Sequence, residues 1–336
     1  INAAHPKCVQ KQKQTWGTTS VSPAPHVRIN LDTEVKNMKK TCIQKGCAAF
    51  SFPYFEGWYL KHQNQENTIA FIPAVHGDKS GKWTVSLQVV TEDGAWYFTY
   101  PKEACRISRN PFGVRVGKNI FTEKGIKVDI KSRDLTVKGC MAYAPFDRLS
   151  YDIMGFFKYI PFLQCSHGVL SMHHSLRGSL LVNGRKISMT GGRGYIETDK
   201  GRSFPKTYLW TQCGFGKSSS VMLSVADIPF FGTHFQGCIC AVHCGGREYR
   251  MATYLGVRIE EYGDGKVTIR QGKMRLKVRR LEEASHDLKA PECGEMTRII
   301  KESPSCRVRY EFWSGGGLVF DVIAEQASFE QVNEND

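Results

Sequence analysis

Two short stretches of this 336-residue chain mix acids, bases and aromatic rings where core strands would be apolar. One is Phe52-Pro53-Tyr54-Phe55-Glu56-Gly57-Trp58-Tyr59-Leu60-Lys61, and the other runs from Gly192 to Gln212. Side chains along a strand alternate between faces, so Glu56, Trp58 and Leu60 share one face and Tyr195, Glu197 and Asp199 share another. A carboxyl held dry among rings has its pKa raised, as a proton donor at neutral pH requires. Flanked by glycines and large aromatics, Glu56 and Glu197 are the candidate acids. Lys61 and Asp199 read equally as surface residues.

Other groupings carry weaker chemistry. His234, Cys238, Cys240, His243 and Cys244 crowd together, yet an extended strand sets 238 and 240 about 7 Å apart, and no second half-site closes a tetrahedron. These thiols read as core filling, and no metal is expected. Gly191-Gly192-Arg193-Gly194 imitates a phosphate loop but precedes a β-like run, so no helix N-terminus awaits a phosphate. The glycines read as a bulge or tight corner. His173 and His174 are adjacent, hence on opposite strand faces, with one of them able to enter a cavity.

The elements that must position these residues are short strands. From Phe50 onward, β-branched and aromatic runs are broken by Gly, Asn and Asp, as in Tyr54 to His62, Thr68 to His76 and Trp83 to Thr91. A second series starts at Leu176, with Asn183-Gly184 as a hairpin turn that needs φ > 0 at both central residues. No long amphipathic helix is legible. The chain therefore reads as all-β, two consecutive antiparallel barrels joined by an irregular aromatic linker. The expected division is a disordered basic tail over 1–47, a barrel over 48–150, a linker over 151–175 and a barrel over 176–336.

Lys and Arg number 46 against 32 Asp and Glu, a net charge of +14. Eight of these bases against Asp32 and Glu34 lie in the first 47 residues, and the remaining charge is dispersed. Dispersed charge speaks against nucleic acid and leaves attraction to an acidic membrane surface open. Twelve cysteines without a C-x-x-C pair read as reduced, buried thiols. The apolar run from Ile153 to Leu163 is about half the ~20 residues of a membrane span. With no apolar h-region in the first 37 residues, the expected location is cytoplasmic, peripheral to a membrane at most.

At the two clusters the sequence resembles the tocopherol cyclase family. The resemblance rests on Tyr54-Phe55-Glu56-Gly57-Trp58-Tyr59-Leu60-Lys61, His167-Gly168-Val169-Leu170-Ser171-Met172-His173-His174, the stretch from Gly191 to Gln212, and Ser224-Val225-Ala226-Asp227-Ile228-Pro229-Phe230, over about residues 50 to 330. It implies two lipocalin-like barrels with the ligand between or inside them, and cofactor-free ring closure on a prenylated quinol or related terpenoid. By that resemblance Glu56 and Glu197 are the acids, with Asp227 third. Trp58, Tyr59, Phe204 and Trp210 offer π faces, Tyr195 shares the Glu197 face, and His174, Arg193, Arg202 and Gln212 orient the quinol oxygens. Lys200 departs from the family, standing where a Trp is expected. Two alternatives use the same residues: a hydratase, in which water captures the cation, and a non-catalytic lipocalin-like carrier of an apolar isoprenoid.

Overall fold

Burial separates two kinds of strand. Gly125–Lys131 and Thr136–Tyr143 alternate between buried and open positions, as strands with one solvated face do. Tyr54–Gln63 and Tyr208–Phe215 are buried along nearly their whole length, so each must be covered on both faces. These doubly covered strands are where the molecule meets itself.

The computed structural model describes residues 11–13, 53–160, 163–230, 232–282 and 285–333, and these form two large sheets. The first has 12 strands. Its path runs Gly94–Tyr100, Trp83–Thr91, Thr68–Gly77, Tyr54–Gln63, Arg193–Gly201, Cys165–Val182, Thr136–Tyr143, Gly125–Lys131, Asn119–Thr122, Phe112–Val116 and Cys105–Arg109, nearly closing into a barrel. The second has 11 strands and runs Arg247–Ala252, Thr233–Cys244, Ser219–Phe230, Tyr208–Phe215, Gly317–Val332, Glu295–Ser314, Met274–Arg280, Lys266–Gln271 and Arg258–Gly263, with His286–Glu292 added beside Glu295–Ser314. Pairing is antiparallel except for Lys11–Lys13, which runs parallel to Gly317–Val332. Apart from those three residues, the expected tail over 1–47 lies outside the described residues.

The all-β, two-barrel expectation holds, and Asn183 and Gly184 both take positive φ, 47° and 82°, at their hairpin. The passage between sheets comes later than the sequence suggested. Arg193–Gly201 pairs with Tyr54–Gln63, and Cys165–Val182 pairs with Thr136–Tyr143, so the chain leaves the first sheet only between Gly201 and Tyr208. The segment from Cys165 to His174, read as irregular, is strand. Register shifts between Val169 and Ser171 and between Ser171 and His174 break its alternation. The preceding aromatic segment contains the short 3-10 helix Gly155–Tyr159, whose Phe157 stacks on Phe235 at 6.3 Å.

Three apolar clusters result. One fills the first barrel around Trp58, Leu60, Phe71 and Phe121, and one fills the second around Leu209, Tyr310, Phe312 and Phe329. The third lies between the sheets and includes Tyr59, Tyr195, Tyr208, Trp210 and Ile300. Cys213, Cys238, Cys240 and Cys306 are buried free thiols, as expected of core filling.

Candidate functional site

The interlayer holds a cavity of about 1390 Å³, counting its solvent-open mouth. It is built from one row of cross-strand neighbours on each sheet, because residues directly opposite in an antiparallel pair point to the same face. On the first sheet the row is His167, Asp199, Gly57 and Ala74, with Glu197 opposite Tyr59 one step along. On the second it is Ile239, Ser224, Trp210, Glu330 and Glu302. All of these line the cavity, together with Phe55, Phe157, Phe204, Tyr208, Phe235 and Leu288. The result is an aromatic chamber carrying acids, the kind of apolar concavity with a few convergent polar groups that binds small molecules.

Glu197 sits at the meeting of the two rows. Tyr195 donates its hydroxyl to Glu197 Oε2 at 2.5 Å, and Trp210 donates its indole N–H to the same oxygen at 3.1 Å. His167 Nε2 stands 3.4 Å from that oxygen, too poorly aligned to hydrogen bond. Two donors thus occupy Oε2, and a proton on the neutral acid belongs on Oε1. Burial raises the Glu197 pKa, outweighing the pull of His167 and of the Tyr195 hydrogen bond. His167 Nδ1 lies 2.9 Å from Asp199 Oδ1. Burial acts to lower the His167 pKa, but Asp199 and Glu197 overcome it and hold the imidazole near 10. His167 therefore carries its proton between the two carboxyl groups, while burial works to keep one on Glu197.

A second acidic pair faces this group. Glu302 and Glu330 are directly opposite on neighbouring strands. Burial pushes Glu302 up to about 7, and burial with the neighbouring Glu302 raises Glu330 well above the carboxylate range. Tyr208 donates its hydroxyl to Glu330. Lys61 lies in the same interlayer, 1% exposed, with its ammonium on Gln326 O at 2.9 Å and its pKa lowered by burial to about 8.

The expected residues divide sharply. Glu197, Trp58, Tyr59, Phe204 and Trp210 line the cavity, with Trp58 also part of the first barrel's core, and Tyr195 holds Glu197 from beside it. Glu56 does not belong to this set. It shares the inward face of the first barrel with Trp58 and Leu60, where Arg109 grips both its oxygens, Nε to Oε1 at 3.0 Å. Asp227 alternates away from Ala226 and Ile228, which line the cavity, and pairs with His234 at 2.7 Å. His174 packs against Tyr143, ring centres 4.4 Å apart, and accepts or donates with Ser171 at 2.9 Å, outside the cavity. Arg193 donates to Gly216 O at 2.9 Å, Gln212 is buried beyond the cavity, and exposed Arg202 is not among the lining residues. Sequence reasoning missed Glu302 and Glu330. His167 stood within a matched motif, but nothing around it marked it for a role.

Ligand atoms of His167, Glu197 and Asp199 lie within 4.8 Å of one another, close enough to hold a divalent cation. A cation there must displace the proton that Asp199 and Glu197 hold on His167. The five-residue His and Cys group near 238 is dispersed instead: His243 faces Asp147 and Glu248, while Cys238 and Cys240 are buried with thiol pKa values raised by burial.

Among solved structures the chain is similar to CghA with Sch210972, at a TM-score of 0.52 and 10% identity over 84% of this chain and 88% of that one. A second CghA structure gives a TM-score of 0.50 at 10% identity, covering 84% and 89%. Kievitone hydratase from Nectria haematococca gives 0.46 at 11% identity, covering 85% and 90%. No protein-family model and no curated protein matches the sequence. At these identities the CghA likeness is one of fold. It agrees with the tandem barrels.

Proposed function

We propose that the protein is a cofactor-free acid catalyst that closes a ring in an apolar, double-bond-bearing substrate of isoprenoid or prenylated aromatic type. The observation that carries this reading is Glu197: a carboxyl whose pKa burial raises, its Oε2 held by two donors, in an aromatic chamber. Glu197 gives its Oε1 proton to the less substituted alkene carbon, leaving a tertiary cation. Ring faces of Trp210, Tyr59 and Phe204 attract the cation, and the proton held on His167 keeps that imidazole from quenching it as a free base. A substrate hydroxyl oxygen captures the cation, its proton returns to Glu197, and the acid is restored. Capture by water instead would make the same machinery a hydratase.

The test is turnover of a prenylated hydroquinone in deuterated buffer. The wild type places one deuterium on the former alkene carbon, and Glu197→Gln abolishes incorporation. Because the acid form does the work, the rate falls as pH rises through the raised pKa of Glu197. Tight binding without any deuterium incorporation by the wild type would sink the catalytic reading in favour of a carrier.

A further inference from the structure

The Glu302 and Glu330 pair is not needed to protonate an alkene at Glu197. It nevertheless faces the same cavity, and Glu302 is 1% exposed with an Oε1 that has no hydrogen-bond partner. A buried acceptor left bare is unfavourable unless something supplies a donor. Its surroundings say what kind of donor. Glu330 stands directly opposite, and like charges so placed repel. Tyr59, Tyr208 and Trp210 present rings from the flanking positions. His167 is paired with Asp199, and Lys289 lies over the Tyr97 ring at 4.4 Å; Lys61 donates to Gln326 O, and its charge offsets the burial of Glu302 only in part, leaving Oε1 bare.

We propose that the Glu302–Glu330 end of the cavity is a cation subsite that takes a protonated amine carried on an apolar frame. The ammonium N–H donates to Glu302 Oε1, its charge is shared with Glu330, and the rings enclose it as they would any desolvated cation. The subsite deepens the proposed reaction and rests on the cavity being the place where substrate binds. It narrows the substrate class to apolar molecules bearing a basic nitrogen, and it makes such amines mimics of the carbocation.

The probes are N,N-dimethyldodecylamine and dodecanol, followed through tryptophan fluorescence, since Trp58 and Trp210 both line the cavity. The amine should bind at least tenfold tighter than the alcohol. The double variant Glu302→Gln and Glu330→Gln should bring the two within about twofold. Equal binding by the wild type, or a preference that survives the double variant, overturns the subsite. Should the double variant fail to fold, calorimetry of the wild type at about pH 6 in two buffers of different ionisation enthalpy serves instead. Glu302, held near 7, must ionise to meet the ammonium, so close to one proton leaves per amine and none per alcohol. The other titratable groups facing the pair are Glu197, Asp199, His167, Tyr59, Tyr208 and Lys61. Absence of proton release with the amine overturns the subsite. Glu197→Gln separates the two ideas: loss of deuterium incorporation with the amine preference intact supports both, and a wild type that prefers the amine yet never incorporates deuterium refutes only the acid role.

Discussion

Glu56 and Glu197 lie on neighbouring strands of one sheet, both nearly fully buried, both among large rings. They have opposite fates. Glu56 points into the first barrel, where Arg109 takes both oxygens and Tyr54 donates its hydroxyl at 3.1 Å. A carboxyl so paired is tied into the barrel wall, with neither oxygen turned toward the cavity. Glu197 points into the interlayer, where its donors are neutral and its counter-charge is already claimed by Asp199. The comparison teaches that burial alone does not make a carboxyl an acid. The partner does, and strand parity chooses the partner.

The largest expected effect breaks that comparison in two. Glu197→Gln should lower turnover by ~10²- to 10⁴-fold, the range of a general acid, with little change in unfolding free energy. Glu56→Gln should do the reverse: turnover within about threefold, but a loss of roughly 1.5 to 3 kcal/mol, the scale of hydrogen bonds to charged groups. Steady-state rates and urea denaturation on both variants check it. If Glu56→Gln abolished turnover at unchanged stability, the division of roles would be wrong.

A second prediction turns on the sign of the Glu302 shift. Its folded pKa, about 7, lies above the ordinary value of 4.5, so its favourable contribution is complete below about 4.5 and is lost as pH rises through 7. Glu302→Gln never ionises. It should therefore match the wild type near pH 4.5 and exceed it in stability at pH 8, by at most ~3 kcal/mol. Denaturation curves at the two pH values measure the difference, and equal stability at pH 8 would show that Glu302 ionises without penalty.

Much of this arrangement was legible before the fold was known, and the missing part has physical causes. Period-two alternation correctly grouped Tyr195 with Glu197 and Asp199, and Glu56 with Trp58 and Leu60. Alternation could not say which face was barrel interior and which interlayer, because Phe55 and Tyr59 on one side are as apolar as Trp58 and Leu60 on the other. Glu302 and Glu330 were hidden for the opposite reason. Each lies among polar neighbours, Lys301 and Ser303 or Gln331, in the pattern of a solvated strand, and only the opposing sheet buries them. The late passage between sheets was illegible since Arg193–Gly201 pairs with a strand more than a hundred residues earlier, whereas local signals attach it to Tyr208–Phe215.

Gly57 offers a smaller, sharper test. It lies opposite Asp199 on the cavity face, and a Cβ built there would meet Ala74 Cβ at 3.5 Å, an ordinary contact. Its backbone is not in the left-handed region, so a β-branched residue suits the strand. Gly57→Val should fold with stability within about 1 kcal/mol of the wild type, yet project methyls into the chamber beside His167 and Asp199. Ligand affinity should drop roughly tenfold, ~1.4 kcal/mol, while Glu197 keeps its environment. Unchanged affinity by titration would place the ligand away from this row.

The smallest effect is expected at Asp227. Its neighbours in sequence, Ala226 and Ile228, face the cavity, so alternation turns its own carboxylate toward the other side of the sheet, against His234 at 2.7 Å. That imidazole is 57% exposed, and an ion pair so open to water is worth at most ~1 kcal/mol. Asp227→Asn keeps the shape and removes the charge. Turnover should stay within twofold and stability within about 1 kcal/mol, since neither the proton on Glu197 nor the ring faces around it depend on this carboxylate. A hundredfold loss of rate at unchanged stability would mean that Asp227 reaches the substrate after all, and the partition of acids between the two faces of the strand would have to be redrawn.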